Sequence, residues 1–300
     1  RPPRSTLFPY TTLFRSMSLG SGTDAPSLVG VLELDPSLGT IQEGADIDIA
    51  NGYAYYTLYR WSSSSLGYVA KIALGSGDAA PTFIGSAAFT IDNPITTLLL
   101  DATHGYCYVG GRVSPGVITK VALGSGDVAP SVVNSLTLES TETSIESGVI
   151  DPVNGYAWFG LNSGHVVKVA LGSGDAVPTR LGSVSGLTGP QAAVADLTNG
   201  YAYFGTYESP GKIVRVALGS GDALPAIVDT LTLNPGENYL YGAAIDTTNG
   251  YAYFTTSTTP GIVVKVLLGT NTIAPTRVGS LALNSNENSA YFPSLDVAHG

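Results

Sequence analysis

The sequence predicts an all-β fold, a β-propeller of four-stranded antiparallel blades, on three observations. A turn signature recurs: Gly52, Gly105, Gly155, Gly200, Gly250 and Gly300 each stand four residues after an Asp, namely Asp48, Asp101, Asp151, Asp196, Asp246 and Asp296. A second marker, Leu-Gly-Ser-Gly or a close variant followed by Pro, begins at Leu19, Leu74, Leu123, Leu171, Leu218 and Leu268. Between the markers lie short runs rich in β-branched and aromatic residues, without the 3.6-residue apolar period of a helix. A module that returns about every 50 residues is an array of one supersecondary unit, whereas an active-site constellation is normally unique.

The copy from Gly242 to Leu283 shows the unit. Gly242 to Asp246 is an apolar run, Thr247 to Gly250 a turn, and Tyr251 to Thr256 a strand by its aromatic and β-branched content. A second turn leads to Ile262–Leu268, and after Gly269–Pro275 a fourth run spans Thr276–Leu283. The Asn-Gly pair in the first turn reads as a type I′ hairpin, with positive φ at both central positions. In Tyr251-Ala252-Tyr253-Phe254 alternate side chains point to opposite faces, so both faces of the sheet need cover. Stacking like sheets around an axis supplies it, with each Ala leaving room for a neighbour's ring. A parallel β-helix has coils of roughly 20 residues, and sandwich domains need about a hundred each.

Counted this way the chain holds a lone fourth strand (Leu28 to Leu34) and five complete blades starting near Ala45, Thr96, Ser147, Gln191 and Gly242. A lone first strand follows (Ser294 to Asp296), which implies a parent of at least six blades, most simply seven. Arg1 to Ser16 share nothing with the repeat, hold three of the thirteen basic residues and no acid, and resemble a translated short-read sequencing adapter. They are expected to be a non-native, disordered segment ahead of a single propeller domain, 17–300, truncated at both ends.

The pattern of apolar strand, Asp-x-x-Asn-Gly, Tyr-Ala-Tyr-Phe and Pro-Gly-x-Val-Val-Lys-Val resembles the YVTN-type propeller repeats of bacterial and archaeal surface and secreted proteins. The resemblance covers nearly all of the chain after Ser16. It implies an extracellular or cell-surface module, with no catalytic residues to carry over.

Charged residues are 12% of the chain against roughly 25% in an average domain. The formal charge is −10, and −13 without the first sixteen residues, which argues against nucleic-acid binding. No run approaches the ~20 apolar residues of a membrane helix. Cys107 is the single cysteine and stands where other copies have Ala, so no disulfide forms within the chain. Nothing calls for a cofactor or metal: His104 and His299 replace the turn Asn, and His165 stands alone.

The six Asp residues are expected to set Asx-type turns by accepting backbone N–H bonds. Lys71, Lys120, Lys168, Arg215 and Lys265 keep one cation in each third strand, with the stem packed along the blade and the head against an acid or a Tyr face. Binding is expected in the loops that vary: those between second and third strands and those between blades. Candidates there are Arg60 and Trp61, Arg112, His165, Tyr207, Tyr239 and Tyr291, with Glu142, Glu237 and Glu287 as acids near the central opening. These observations favour a non-catalytic binding module for a glycan or protein. The alternatives are a propeller enzyme of lactonase or lyase type using those acids, and a structural spacer.

Overall fold

The computed structural model describes residues 13–18, 25, 27–61, 65–75 and 79–295, so Asp296 and His299 lie outside the described residues. It is a β-propeller of four-stranded antiparallel blades. β1 (Leu13–Ser18) and β2 (Ser27–Glu33) form a two-stranded sheet. Blade one is β3 (Thr40–Asp48), β4 (Tyr53–Arg60), β5 (Leu66–Ala73) and β6 (Thr82–Thr90). Blade two is β7 (Ile95–Asp101), β8 (Tyr106–Gly111), β9 (Val117–Ala122) and β10 (Ser131–Thr137). Blade three is β11 (Ile145–Asp151), β12 (Tyr156–Leu161), β13 (His165–Ala170) and β14 (Thr179–Ser185). Blade four is β15 (Pro190–Asp196), β16 (Tyr201–Thr206), β17 (Lys212–Ala217) and β18 (Ala226–Thr232). Blade five is β19 (Leu240–Asp246), β20 (Tyr251–Thr256), β21 (Ile262–Leu267) and β22 (Thr276–Ala282).

Two compact units divide the chain. One is Arg1–Gly111 with Thr119–Asn134, the other Arg112–Ile118 with Ser135–Gly300. In the first unit β3 packs on β7; in the second β11 packs on β15, and β15 on β19. The expected fit of small against large holds in the second unit, where Trp158 shares a buried cluster with Ala202 and Phe204, and Tyr203 with Ala252 and Phe254.

Four sequence expectations need correction. Residues Leu13 to Ser16, placed in a disordered leader, lie in β1; Phe14 is buried with Leu34, Ala54 and Leu58 and meets the Tyr56 ring edge-on at 5.2 Å. The fourth strand at Leu28–Leu34 is therefore not alone, because β1 pairs with it. Ser294 and Leu295 form no strand. Finally, the Asp-x-x-Asn-Gly turns are not type I′. Only the Gly has positive φ, for example Gly52 at 75°, and its N–H donates to the Asp carbonyl four residues back at Gly52, Gly105 and Gly155. The turn Asn keeps the negative φ ordinary for a non-glycine residue, and its side chain and N–H both bond the Asp carboxylate.

Candidate functional site

The repeated turn and the Leu-Gly-Ser-Gly loop build a joint between successive blades. Asp48, Asp151, Asp196 and Asp246 each accept from the backbone N–H of the turn Asn at 2.9–3.1 Å and from its side-chain amide at 2.6–2.7 Å. Asp101 makes the same two bonds to His104, with its carboxylate 2.9 Å from the ring Nδ1.

The third-strand cation reaches into the next blade's loop. Lys168 Nζ donates to the carbonyls of Gly219, Gly221 and Ala223 at 2.6–2.9 Å, and Lys71 Nζ to those of Gly124 and Gly126 at 2.7 Å. Two glycines per loop at positive φ, such as Gly219 at 67° and Gly221 at 52°, turn these carbonyls inward. The ammonium also sits over the second-strand ring, Lys71 over Tyr53 at 4.1 Å and Lys168 over Tyr156 at 4.6 Å. The Tyr face was expected, and so was an acid, which Arg215 finds in Asp229; for Lys71 and Lys168 the main partners are loop carbonyls instead. Trp158 Nε1 and Tyr203 Oη add bonds to the carbonyls of Leu218 and Leu268, at 3.0 and 2.9 Å.

These joints leave notches. One of about 520 Å³ is lined by Asp48, Asn51, Tyr53, Tyr55, the His104 turn and the Leu123–Gly126 loop. Its counterpart of about 420 Å³ is lined by Asp151, Asn154, Tyr156, Trp158 and the Leu218–Gly221 loop. The two share one architecture, and His104 is what distinguishes the first. Its side chain is 57% exposed while Asp101 is buried. In the neutral ring, Nδ1–H donating to the carboxylate leaves the lone pair on Nε2.

The sequence candidates are spread over several places. Arg60 ends β4 and donates to the Ser37 carbonyl at 3.2 Å, while Trp61 stands 68% exposed, edge-on to Tyr59 at 4.8 Å. His165 begins β13 with Nδ1 3.1 Å from Ser163 Oγ. Tyr207, Tyr239 and Tyr291 do gather, through Tyr241, into one aromatic cluster.

Glu142, Glu237 and Glu287 are not acids at an inner opening. They close the turns that follow the outermost strands, accepting from the N–H groups of Glu139, Asn234 and Asn284 at 2.8–3.2 Å. Glu142 is further paired with Arg180 at 2.7 Å and Glu237 with Arg277 at 2.6 Å, and both arginines lie on outermost strands, β14 and β22. Burial works against their charge, but the arginine, a serine hydroxyl and the backbone N–H together hold both carboxyls below their ordinary range. Acids that do lie on innermost strands include Glu43 and Asp46 of β3 and Glu146 of β11; of these, Glu146 accepts from Arg112 Nε at 3.0 Å. Sequence reading missed it because Glu142 and Glu146 share one loop-like stretch, and only the strand boundary separates them.

No family model and no curated protein matches this chain. Solved structures do. A candidate 6-phosphogluconolactonase from Bacteroides uniformis superposes with a TM-score of 0.67 at 9% identity, covering 91% of this chain and 83% of its own. The periplasmic gluconolactonase PpgL of Pseudomonas aeruginosa gives 0.65 at 13%, covering 92% and 83%. Saccharomyces cerevisiae Sqt1 gives 0.62 at 13%, covering 95% and 72%. At such identity the likeness establishes the repeat-propeller fold. It also corrects the expectation of a non-catalytic surface module, since the same frame serves proteins named as lactonases.

Proposed function

We propose that this chain hydrolyses a sugar lactone in the notch that holds His104. The observation that carries the reading is an exchange within the array: four described turns place an Asn amide on the Asp, and the fifth places an imidazole there instead. An amide holds the turn but takes no proton; an imidazole held at Nδ1 by a buried carboxylate is oriented as a base. The cavity of about 520 Å³ lies in the range of small-molecule sites.

His104 Nε2 takes a proton from water as the water oxygen bonds to the lactone carbonyl carbon. The tetrahedral intermediate then collapses, the bond from that carbon to the ring oxygen breaks, and the imidazolium returns its proton to the departing oxygen. Asp101 holds the ring and stabilises its charged form, and Asn51 keeps a second amide N–H for the developing oxyanion. The lining includes Asp48 and no Lys or Arg, which suits an uncharged lactone. An extracytoplasmic location is part of the proposal, supported by the periplasmic protein of the same fold.

The test is turnover of glucono-1,5-lactone and its 6-phosphate by the full chain and by His104→Asn, which restores the array's own residue and so preserves the turn. Hydrolysis above the spontaneous rate is expected, with kcat/KM falling about a hundredfold or more in the variant. Equal turnover in both proteins, or none in the wild type, would discard the reading.

A further inference from the structure

The loops of the second unit carry a continuous aromatic surface. Tyr207 follows β16, Tyr239 precedes β19, Tyr241 lies in β19, and Tyr291 and Phe292 follow β22. Ring centroids are 5.0 Å apart for Tyr207–Tyr239, 4.5 Å for Tyr241–Tyr291 and 6.3 Å for Tyr291–Phe292, and Tyr207 meets Tyr241 at 6.2 Å. Tyr207, Tyr239 and Tyr291 are each about 40% exposed and Phe292 is 66% exposed.

The scaffold does not require these rings. The blade two to blade three crossover has Arg112, Ser144 and Glu146 in the slots of Tyr207, Tyr239 and Tyr241, and its Arg and Glu form an ion pair. The middle slot is left-handed in four crossovers, with φ 57° at Ser144, 47° at Gly189, 57° at Tyr239 and 52° at Ser289, while Pro94 fills it in the first. Its backbone stitches the loops together, since Tyr239 N–H donates to the Glu208 carbonyl and Ser257 N–H to that of Tyr239, both within 2.9 Å. A serine performs that task at Ser144 and Ser289. A bulky aromatic in this region carries a backbone cost, so the ring of Tyr239 is retained against the preference of its own backbone.

We propose that this surface binds a neutral oligosaccharide, the apolar faces of successive sugar rings stacking on the aromatic cluster. Aromatic rings with polar edges offer an apolar face and a hydrogen-bonding rim together, and the Glu208–Lys212 pair beside Tyr207 extends that rim. The chain's charge of −10 disfavours an acidic polysaccharide. The proposal is independent of lactone hydrolysis, and its test reads binding alone.

The full chain is titrated calorimetrically with cellohexaose, xylohexaose, maltohexaose and chitohexaose, each to about 5 mM. Saturable binding of at least one is expected, weakened about tenfold in Tyr239→Ser and in Tyr207→Ala. Thermal unfolding of Tyr239→Ser should move upward or stay level, because serine relieves the left-handed backbone; a structural role for the ring would move it down. The proposal is overturned by failure of all four sugars, by binding of a proline-rich peptide in their place, by affinities unchanged in both variants, or by a destabilised Tyr239→Ser.

Discussion

The joint closed by Lys168 and the joint closed by Arg215 occupy the same slot in neighbouring blades, yet they are built differently. Lys168 meets a loop of sequence Leu218-Gly-Ser-Gly-Asp, whose two left-handed glycines present three carbonyls to one ammonium. Arg215 meets Leu268-Gly-Thr-Asn-Thr, where only Gly269 is left-handed and a bridge links Thr270 to Ile273. Its guanidinium donates to the Thr270 carbonyl at 2.6 Å and forks onto Asp229. Asp229 sits across the strand from Arg215, where Gly182 sits across from Lys168. At Gly182 a Cβ would press on the Leu224 side chain of the next loop, so glycine there lets the carbonyl loop close down. A point charge with three donors is satisfied by a ring of carbonyls; a planar fork needs a carboxylate in its plane. Cation, loop and cross-strand residue therefore change together.

The comparison breaks most sharply at Lys168→Ala. Three carbonyls turned inward lose their donor, and denaturant unfolding should show a loss of about 3 kcal/mol. A loss below about 0.5 kcal/mol, the usual range for a surface change, would mean that the loop folds without the cation.

Next in size is Glu237→Gln, because the Arg215 joint carries a second ion pair, Glu237 with Arg277, that the Lys168 joint lacks. The folded-state carboxyl lies below its ordinary value, so its contribution is present above the ordinary glutamate range and is lost as pH falls through the lower folded value. The wild type should exceed the variant by about 1–2 kcal/mol at neutral pH, and the two should converge under acid. A gap that persists at pH 3 would assign the effect to packing instead.

Arg215→Lys sharpens the comparison at lower cost. An ammonium cannot serve Asp229 and the Thr270 loop at once, and about 1 kcal/mol should be lost. Adding Asp229→Gly should recover none of it while the Thr270 loop stays; recovery would show that the carboxylate, not the loop, sets the choice of cation. Smallest is Tyr203→Phe, which removes the bond to the Leu268 carbonyl and should cost about 1 kcal/mol or less.

The recurrence of Asp-x-x-Asn-Gly and Leu-Gly-Ser-Gly gave away both halves of the joint, but not that they touch. Lys168 and Gly219 are 51 residues apart, and no local pattern pairs them. Glu142 and Glu237 were legible as acids in variable loops; their capture by Arg180 and Arg277, 38 and 40 residues away, was not. His104 was visible as a departure from Asn, while the cavity that gives it a use requires the facing loop of Leu123–Gly126. Tyr207, Tyr239 and Tyr291 were picked out individually as variable-loop aromatics. Tyr241 and Phe292, which complete the cluster, were not picked out: Tyr241 reads as the last residue of an inter-blade loop although it lies in β19, and Phe292 stands in a terminal stretch.

What the sequence determined by itself is the strand, the turn and the number of complete blades, because alternation, glycine at the bend and the repeat length are local properties that each copy states afresh. What only the tertiary structure decided is which charges are satisfied by what, and where a base or a row of rings faces open space. Those depend on residues about one blade apart in the chain, whose meeting is set by stacking rather than by any neighbouring residue.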